Sequence, residues 1–334
     1  NIGDWSSDVC SSDLIFSSLY ANIGHTQTPY NSQGFMSTQY FNPAAVGFGI
    51  NNRFQSFFRT QYAGVGDPFY TAGAAVDFGF FKIDESPNNS FGYGIQAVSE
   101  RVLNGILQTN SISNSLAYRI FFNKKQTSYF ALGIGYSILT RTLDASLLSF
   151  GDQYNSGRLF NSSSLEAISK YPTKYTTNAG FMYGYQSEKS FFQIGASEFL
   201  LNRTTNTIIT NEPNQNYQLS ALLNAEYQLD DEKTILFHID YQNRLEKEYF
   251  YAGAAVGVPL NKEMNRAYFG CFYRNKDAVI PYVGLMYNRY KIGLTYDVYS
   301  NSLTSSNLRP QTIEFSLSTS LGRKFSENLK SLFD

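Results

Sequence analysis

The stretch Tyr129-Phe-Ala-Leu-Gly-Ile-Gly-Tyr-Ser-Ile-Leu-Thr140 decides how this chain is read. Phe130, Leu132, Ile134, Tyr136 and Ile138 share one parity, and Ala131, Gly133, Gly135 and Ser137 the other. A β-strand sends alternate side chains to opposite faces, so the segment has one bulky apolar face and one nearly bare one. Similar segments recur along almost the whole chain. A soluble sandwich would bury the apolar face and turn charges outward. Here the second face is mostly Gly, Ala, Ser, Thr, Asn and Gln, which suits a crowded or watery lumen. The pattern predicts an all-β fold, a transmembrane antiparallel up-and-down β-barrel.

Composition agrees. The 334 residues include 26 Tyr and 28 Phe, whereas only 16% are charged. Soluble domains carry about 25% charge. A balance of 26 basic and 27 acidic residues offers nucleic acid no basic field. Mean hydropathy is negative, and no apolar run reaches the length of about 18 residues that a membrane helix needs. A barrel meets lipid with alternate residues only and escapes both tests. Two cysteines, Cys10 and Cys271, make neither a disulfide framework nor a zinc site. Cys271 falls between Phe269 and Tyr273 and reads as an outward apolar filler.

Residues 1–14 include Asp4-Trp5-Ser6-Ser7-Asp8-Val9-Cys10-Ser11-Ser12-Asp13-Leu14, which resembles the translation of a sequencing adapter and carries no weight for the fold. Residues 15–27 look like the remnant of a signal peptide, with cleavage expected between Ala21 and Thr28. Residues 28–50 form an expected periplasmic or lumen arm, 51–321 the barrel, and 322–334 a C-terminal tail.

Alternation bounded by turn residues predicts strands over Arg53–Tyr62, Phe69–Phe81, Phe91–Arg101, Leu107–Phe121 and Thr127–Thr142. Tyr175–Gln186, Phe191–Leu200, Gln215–Leu229, Thr234–Gln242 and Glu248–Val258 follow. Ala267–Arg274, Ile280–Tyr287, Tyr290–Val298 and Gln311–Leu321 complete about fourteen, an even number as single-chain bacterial barrels require. With a periplasmic N-terminus, odd connections are outer loops. The longest unpatterned stretches, Leu143–Lys174, Leu201–Asn214 and Tyr299–Pro310, are the fifth, seventh and thirteenth connections. Even ones such as Ser187–Ser190, Asp230–Lys233 and Asn288–Arg289 are tight and polar.

Parity places Asp240, Lys291, Asp297 and Glu314 on the lumen face, and predicts that Arg59 and Arg274 pair there with Asp240, Asp297 or Glu314. Tyr118, Tyr183, Tyr185, Tyr249, Tyr251, Tyr287 and Tyr290 lie near strand ends and suit interfacial girdles. About fourteen strands enclose more space than wall side chains fill, so the arm and the loop Leu143–Lys174 are expected to obstruct the channel.

Five elements occur in order: Gln39-Tyr-Phe-Asn-Pro-Ala-Ala-Val-Gly47, Arg59-Thr-Gln-Tyr-Ala-Gly64, Gly270-Cys-Phe-Tyr-Arg274 with Asp277-Ala278 behind it, Gly293-Leu-Thr-Tyr-Asp297, and Glu314-Phe-Ser-Leu317. Together they resemble the PorP/SprF family of the Bacteroidota type IX secretion system, from about Thr28 to Leu321. One departure is the looser opening Ser32-Gln-Gly-Phe-Met36. The matching positions are Asn42, Pro43, Gly47, Arg59, Gln61, Gly64, Tyr273, Arg274, Asp277, Tyr296, Asp297 and Glu314. Asn42-Pro43 is also a turn-forming pair in its own right.

The resemblance implies an outer-membrane protein that exports or anchors clients such as adhesins and gliding proteins, each with a C-terminal sorting domain. Its partners would be that client, other secretion components including periplasmic lipoproteins, and outer-membrane lipid, with no nucleic acid. In the loop Leu143–Lys174, Tyr154, Arg158 and Tyr171 are the candidate client contacts. The alternative is a solute-conducting channel, and a third reading is a structural scaffold. No catalytic, cofactor or metal constellation is expected. His25 and His238 stand apart, Gly92-Tyr-Gly94 and Gly133-Ile-Gly135 do not open helices, and Asp230-Asp231-Glu232 is a solvated turn.

Overall fold

The structure is a computed structural model that describes residues 31–47, 52–64, 66–82, 89–123, 125–144, 148, 153, 173–199, 218–229, 233–244, 247–260, 265–300, 310–321 and 333. All of them belong to one compact unit, Asn31–Asp334. Fourteen strands run in chain order: β1 (Arg53–Ala63), β2 (Phe69–Lys82), β3 (Asn89–Val102), β4 (Leu107–Phe121), β5 (Ser128–Leu143), β6 (Lys174–Gln186) and β7 (Ser190–Phe199). They continue as β8 (Gln218–Gln228), β9 (Thr234–Arg244), β10 (Lys247–Pro259), β11 (Arg266–Arg274), β12 (Ala278–Tyr287), β13 (Tyr290–Tyr299) and β14 (Gln311–Ser320). Each expected strand is present, its ends shifted by a few residues at most.

Every strand pairs with its sequence neighbours, and β1 pairs antiparallel with β14 from Arg53↔Ser320 to Thr60↔Ile313, so the sheet closes. Closure removes both edges and leaves each ladder's backbone groups paired, which is what a sheet in hydrocarbon requires. The opening segment shows the division of faces. Leu132 and Ile134 are 53% and 64% exposed on the outside, while Ala131 is fully buried inside. Cys271 is outward and exposed. A strand of ten residues such as β12, tilted as in membrane barrels, rises about 25 Å, the height of their apolar band. Among the described residues no helix is long and apolar enough to cross a membrane.

The wall is uneven. β3, β4 and β5 have 14, 15 and 16 residues, against 9 in β11. Their extra length lies at the end that carries the long connections. There the outward row turns polar, with exposed Arg101, Asn110 and Thr142 beyond Ile112 and Ile138. A charged outward residue is costly at the bilayer midplane and cheap beyond it, so this part of the sheet projects clear of the hydrocarbon. The β3–β4 turn at its tip holds Leu103, Asn104 and Gly105 in succession at positive φ (52°, 53° and 90°).

Two tyrosines depart from the girdle expectation. Tyr251 is 1% exposed and faces the lumen, and half-buried Tyr249 shares its face. Glu248 and Phe250 take the outward row of β10 instead. Aromatic content places a residue near a strand end, but only parity says which face it takes.

Candidate functional site in the barrel lumen

Residues 31–47 lie inside the barrel. They fold as a 3-10 turn (Gly34–Met36), a single α-helical turn (Thr38–Phe41) and a second 3-10 turn (Pro43–Ala45). Such short pieces have no helical stability of their own and are held by the wall. All of these residues are buried except Tyr40, which is half-buried. The segment runs as a plug from the long-connection end, where Ser32 sits, to the short-turn end, where Gly47 meets β2 and β3.

Ser32 is the centre of a charged latch. Arg59 on β1 bridges to Asp297 on β13 at 2.9 Å and to Glu314 on β14 at 3.0 Å. Arg274, the last residue of β11, bridges to the same Asp297 at 2.8 Å and to Asp277 in the turn behind it. The plug closes this network. Ser32 N–H donates to Glu314 Oε2 at 2.6 Å, Gln33 N–H to Glu314 Oε1 at 2.9 Å, and Ser32 Oγ to Asp297 Oδ1 at 2.9 Å. Arg59 Nη1 donates to Ser32 Oγ, and Tyr251 Oη donates to the Ser32 carbonyl. Arg59, Asp297 and Glu314 are each 1% exposed. Three buried charges of this kind are tolerated because each carboxylate meets a guanidinium and further donors.

The middle of the plug is fastened without charge. Asn42 Nδ2 donates to the carbonyls of Phe181 on β6 and Ala196 on β7, at 3.0 and 3.3 Å. Its Oδ1 caps the turn that Pro43 begins, accepting from Ala44 N–H at 2.9 Å. Ser197 Oγ donates to the Phe41 carbonyl. At the short-turn end Arg119 Nη1 donates to the Gly47 carbonyl at 2.7 Å. Asp77 accepts from Gly47 N–H at 3.2 Å and bridges to Arg53 at 2.9 Å. Gly47 has φ +65° and lies against the backbone of Gly92, and Gly133 lies against the backbone of Pro43 and Ala44. A side chain at either site would overlap these atoms, so the plug fits a wall stripped of Cβ atoms.

The family-motif residues therefore divide into three sets. Asn42, Pro43 and Gly47 are in the plug, and Arg59, Arg274, Asp277, Asp297 and Glu314 form or flank the latch. Tyr273 and Tyr296 point outward at 46% and 40% exposure, while half-buried Gln61 and exposed Gly64 sit at the rim end of β1. Asp240 accepts from Gln242 Nε2 at 2.7 Å on its own strand. Tyr154, Arg158 and Tyr171 lie outside the described residues.

Sequence reasoning noted Ser32, Gln33 and Phe35 only as part of a departure from the family's opening, and gave no role to Arg53, Asp77 or Arg119. The signal for the last three was present, since each is a charge on a lumen parity. His238 Nδ1 donates to Asn224 Oδ1 at 2.6 Å, and the ring packs against Phe35 and Tyr251. Among the described residues no cluster of His, Cys, Asp and Glu could hold a metal ion.

A closed fourteen-strand wall, apolar outside and filled inside by its own N-terminal segment, defines a membrane-spanning β-barrel of the outer-membrane type. The chain belongs to the type IX secretion system membrane protein PorP/SprF family, whose model matches residues 23–318. The family is described as one of secretion-system membrane proteins. No curated protein matches the chain. Among solved structures, the deltaS2 mutant of the TodX monoaromatic hydrocarbon channel has 10% identity and a TM-score of 0.50, over 86% of this chain and 94% of that one. The toluene transporter TbuX of Ralstonia pickettii has 9% identity and a TM-score of 0.49, over 86% and 94%. BamA from Haemophilus ducreyi lacking POTRA domains 1–3 has 8% and 0.43, over 82% and 71%. At such identities the likeness is one of fold alone.

Proposed function

We propose that the protein works in the outer membrane of a Gram-negative cell, where it serves type IX secretion by exporting client proteins or anchoring them at the surface. Adhesins and gliding proteins that carry a C-terminal sorting domain are the expected clients. Membership of the secretion family supports this role. The observation that carries it is the occupied lumen: a plug tied to β1, β6, β7, β13 and β14 leaves the rims as the working surfaces. Short turns face the periplasm in such barrels, so the projecting β3–β5 wall faces outward and meets the client. The turns meet periplasmic secretion lipoproteins. Residues 15–27 are the remnant of the export signal.

Deleting the gene in its host tests this reading. Surface proteomics should lose one or more sorting-domain proteins, which then accumulate in the periplasm, while uptake of small solutes is unchanged. An intact surface proteome with reduced solute uptake would assign the conducting role instead.

A further inference from the structure

One ladder of the wall is interrupted without a shift of register. β12 and β13 pair at Ala278↔Tyr299 and Val279↔Val298, and again from Tyr282↔Thr295 to Tyr287↔Tyr290, but Ile280 with Asp297 and Pro281 with Tyr296 drop out between. Their other neighbours stay paired, at Cys271↔Pro281 and Phe272↔Ile280 on one side and at Tyr296↔Ile313 and Asp297↔Thr312 on the other. The cause is chemical. The two-residue turn Asn288–Arg289 closes its hairpin on a hydrogen-bonded pair, and such pairs alternate along the ladder, so Pro281 and Tyr296 fall on one. Proline has no N–H, so the Tyr296 carbonyl loses its donor. Pro281 is exposed on the lipid face, where an unmet backbone group is costly. Within sheets proline is otherwise confined to edges, strand starts and bulges.

The interruption sits beside the latch. Between it and the long-connection rim, the seam is held by the pairs at Ala278 and Val279 and by Ser300 N–H, which donates to the Asp277 carbonyl at 2.8 Å. Asp297, which drops out of this ladder, is where the charges converge. Arg274 reaches past β12 from β11 to meet it at 2.8 Å, and Arg59 reaches past β14 from β1 at 2.9 Å. Ser32 of the plug donates to the same carboxylate at 2.9 Å. Side chains thus staple the seam at the level where its backbone does not.

We propose that the part of the β12–β13 seam between Pro281 and the long-connection rim is a lateral gate from lumen to bilayer, held shut through Asp297. The missing bond separates the rim pairs from the hairpin below them, so they can part as a local opening while the hairpin stays zipped. Opening moves the Asp297 end of β13 away from β12 and breaks the bridge to Arg274. A seated plug adds Ser32 to the same carboxylate, so an occupied lumen favours the closed seam. The gate stands on the pairing of these two strands and is independent of the secretion role.

Amide hydrogen exchange at single-residue resolution tests it on the full-length barrel in lipid nanodiscs. Alternation aims the Val298 N–H at β12 and the Asp297 N–H at β14, so two adjacent amides report opposite seams. In wild type Val298 should exchange at least about tenfold faster than Asp297. Pro281→Val restores the missing donor and should slow Val298 to the rate of Asp297. Pro281→Ala takes its place should the valine variant lose the gel mobility of a folded barrel. Arg274→Gln removes the staple from β11 and should speed Val298 while leaving the Asp297 amide unchanged. Gly133→Leu, which displaces the plug, should speed Val298 as well. Equal rates at the two amides in wild type, or a Val298 rate unmoved by the proline substitution, overturns the gate. A Val298 rate unmoved by Arg274→Gln overturns the staple, and one unmoved by Gly133→Leu overturns its link to the plug.

Discussion

Arg59 and Glu314 are register partners across the seam that closes the barrel, and their side chains meet at 3.0 Å. One ion pair therefore spans the first and last strands while its carboxylate also receives the plug's backbone at Ser32 and Gln33. Closure of the wall and seating of the plug share a single anchor.

Arg59→Ala leaves Glu314 and Asp297 as neighbouring buried carboxylates. Removing one partner of such a pair costs about 3–5 kcal/mol. The temperature at which the folded barrel loses its gel mobility in detergent should fall markedly. The double variant Arg59→Met/Glu314→Gln removes both charges and should recover much of the loss. Equal losses in the single and double variants would mean that pairing is not what the arginine contributes.

Asn42→Ala deletes two donations to strand carbonyls and the cap on the Pro43 turn, each worth about 0.5–1.5 kcal/mol. Fourteen strand ladders are untouched, so the barrel should melt nearly as wild type. The plug should become a substrate for limited proteolysis, with cuts mapping to residues 31–47.

Gly133→Leu places a side chain where the backbone of Pro43 and Ala44 now lies. The plug must leave its seat. A Ser37→Cys reporter is buried in wild type and should react with a maleimide only in the leucine variant, in a background without Cys10 and Cys271. In planar bilayers the same variant should conduct steadily, and the wild type should not. Steady porin-like conductance of wild type would show that the plug does not seal the lumen.

Ile134→Arg puts a charge on the lipid row of β5, where Ile134 is 64% exposed. The cost near the midplane is about 2–4 kcal/mol. Thr142→Arg on the same outward row lies on the polar projecting wall and should cost little. Refolding yields into lipid vesicles distinguish the two, and equal yields would place both residues outside the hydrocarbon.

The strands were legible because lipid enforces a two-residue period on each of them. Phe315 and Leu317 against Glu314, Ser316 and Ser318 is readable without coordinates. Orientation of the charges followed from the same count, so Asp297 and Glu314 could be set inward. What parity lacks is any information about which inward charges meet. That depends on register and barrel radius, and it brings Arg274 to Asp297 while Asp240 bonds along its own strand. The plug was less legible still. Residues 31–47 carry no period, because they are surrounded by wall on all sides and have no solvent face to alternate with. Phe35, Phe41 and Val46 look there like scattered apolar residues, and Ser32 looks like surface. Tyr249 and Tyr251 misled for a related reason, since tyrosine suits both a membrane interface and a hydrogen-bonding lumen.

Ser32 and Glu314 are 282 positions apart, yet the bond between them cannot form until the second is in place. A polypeptide that emerges N-terminus first can seat its stopper on β2, β4, β6 and β7 early, but its outer fastening waits until the final strand zips to the first. Completion of the latch becomes the last event of assembly, and a chain that stalls before Gln311 lacks it.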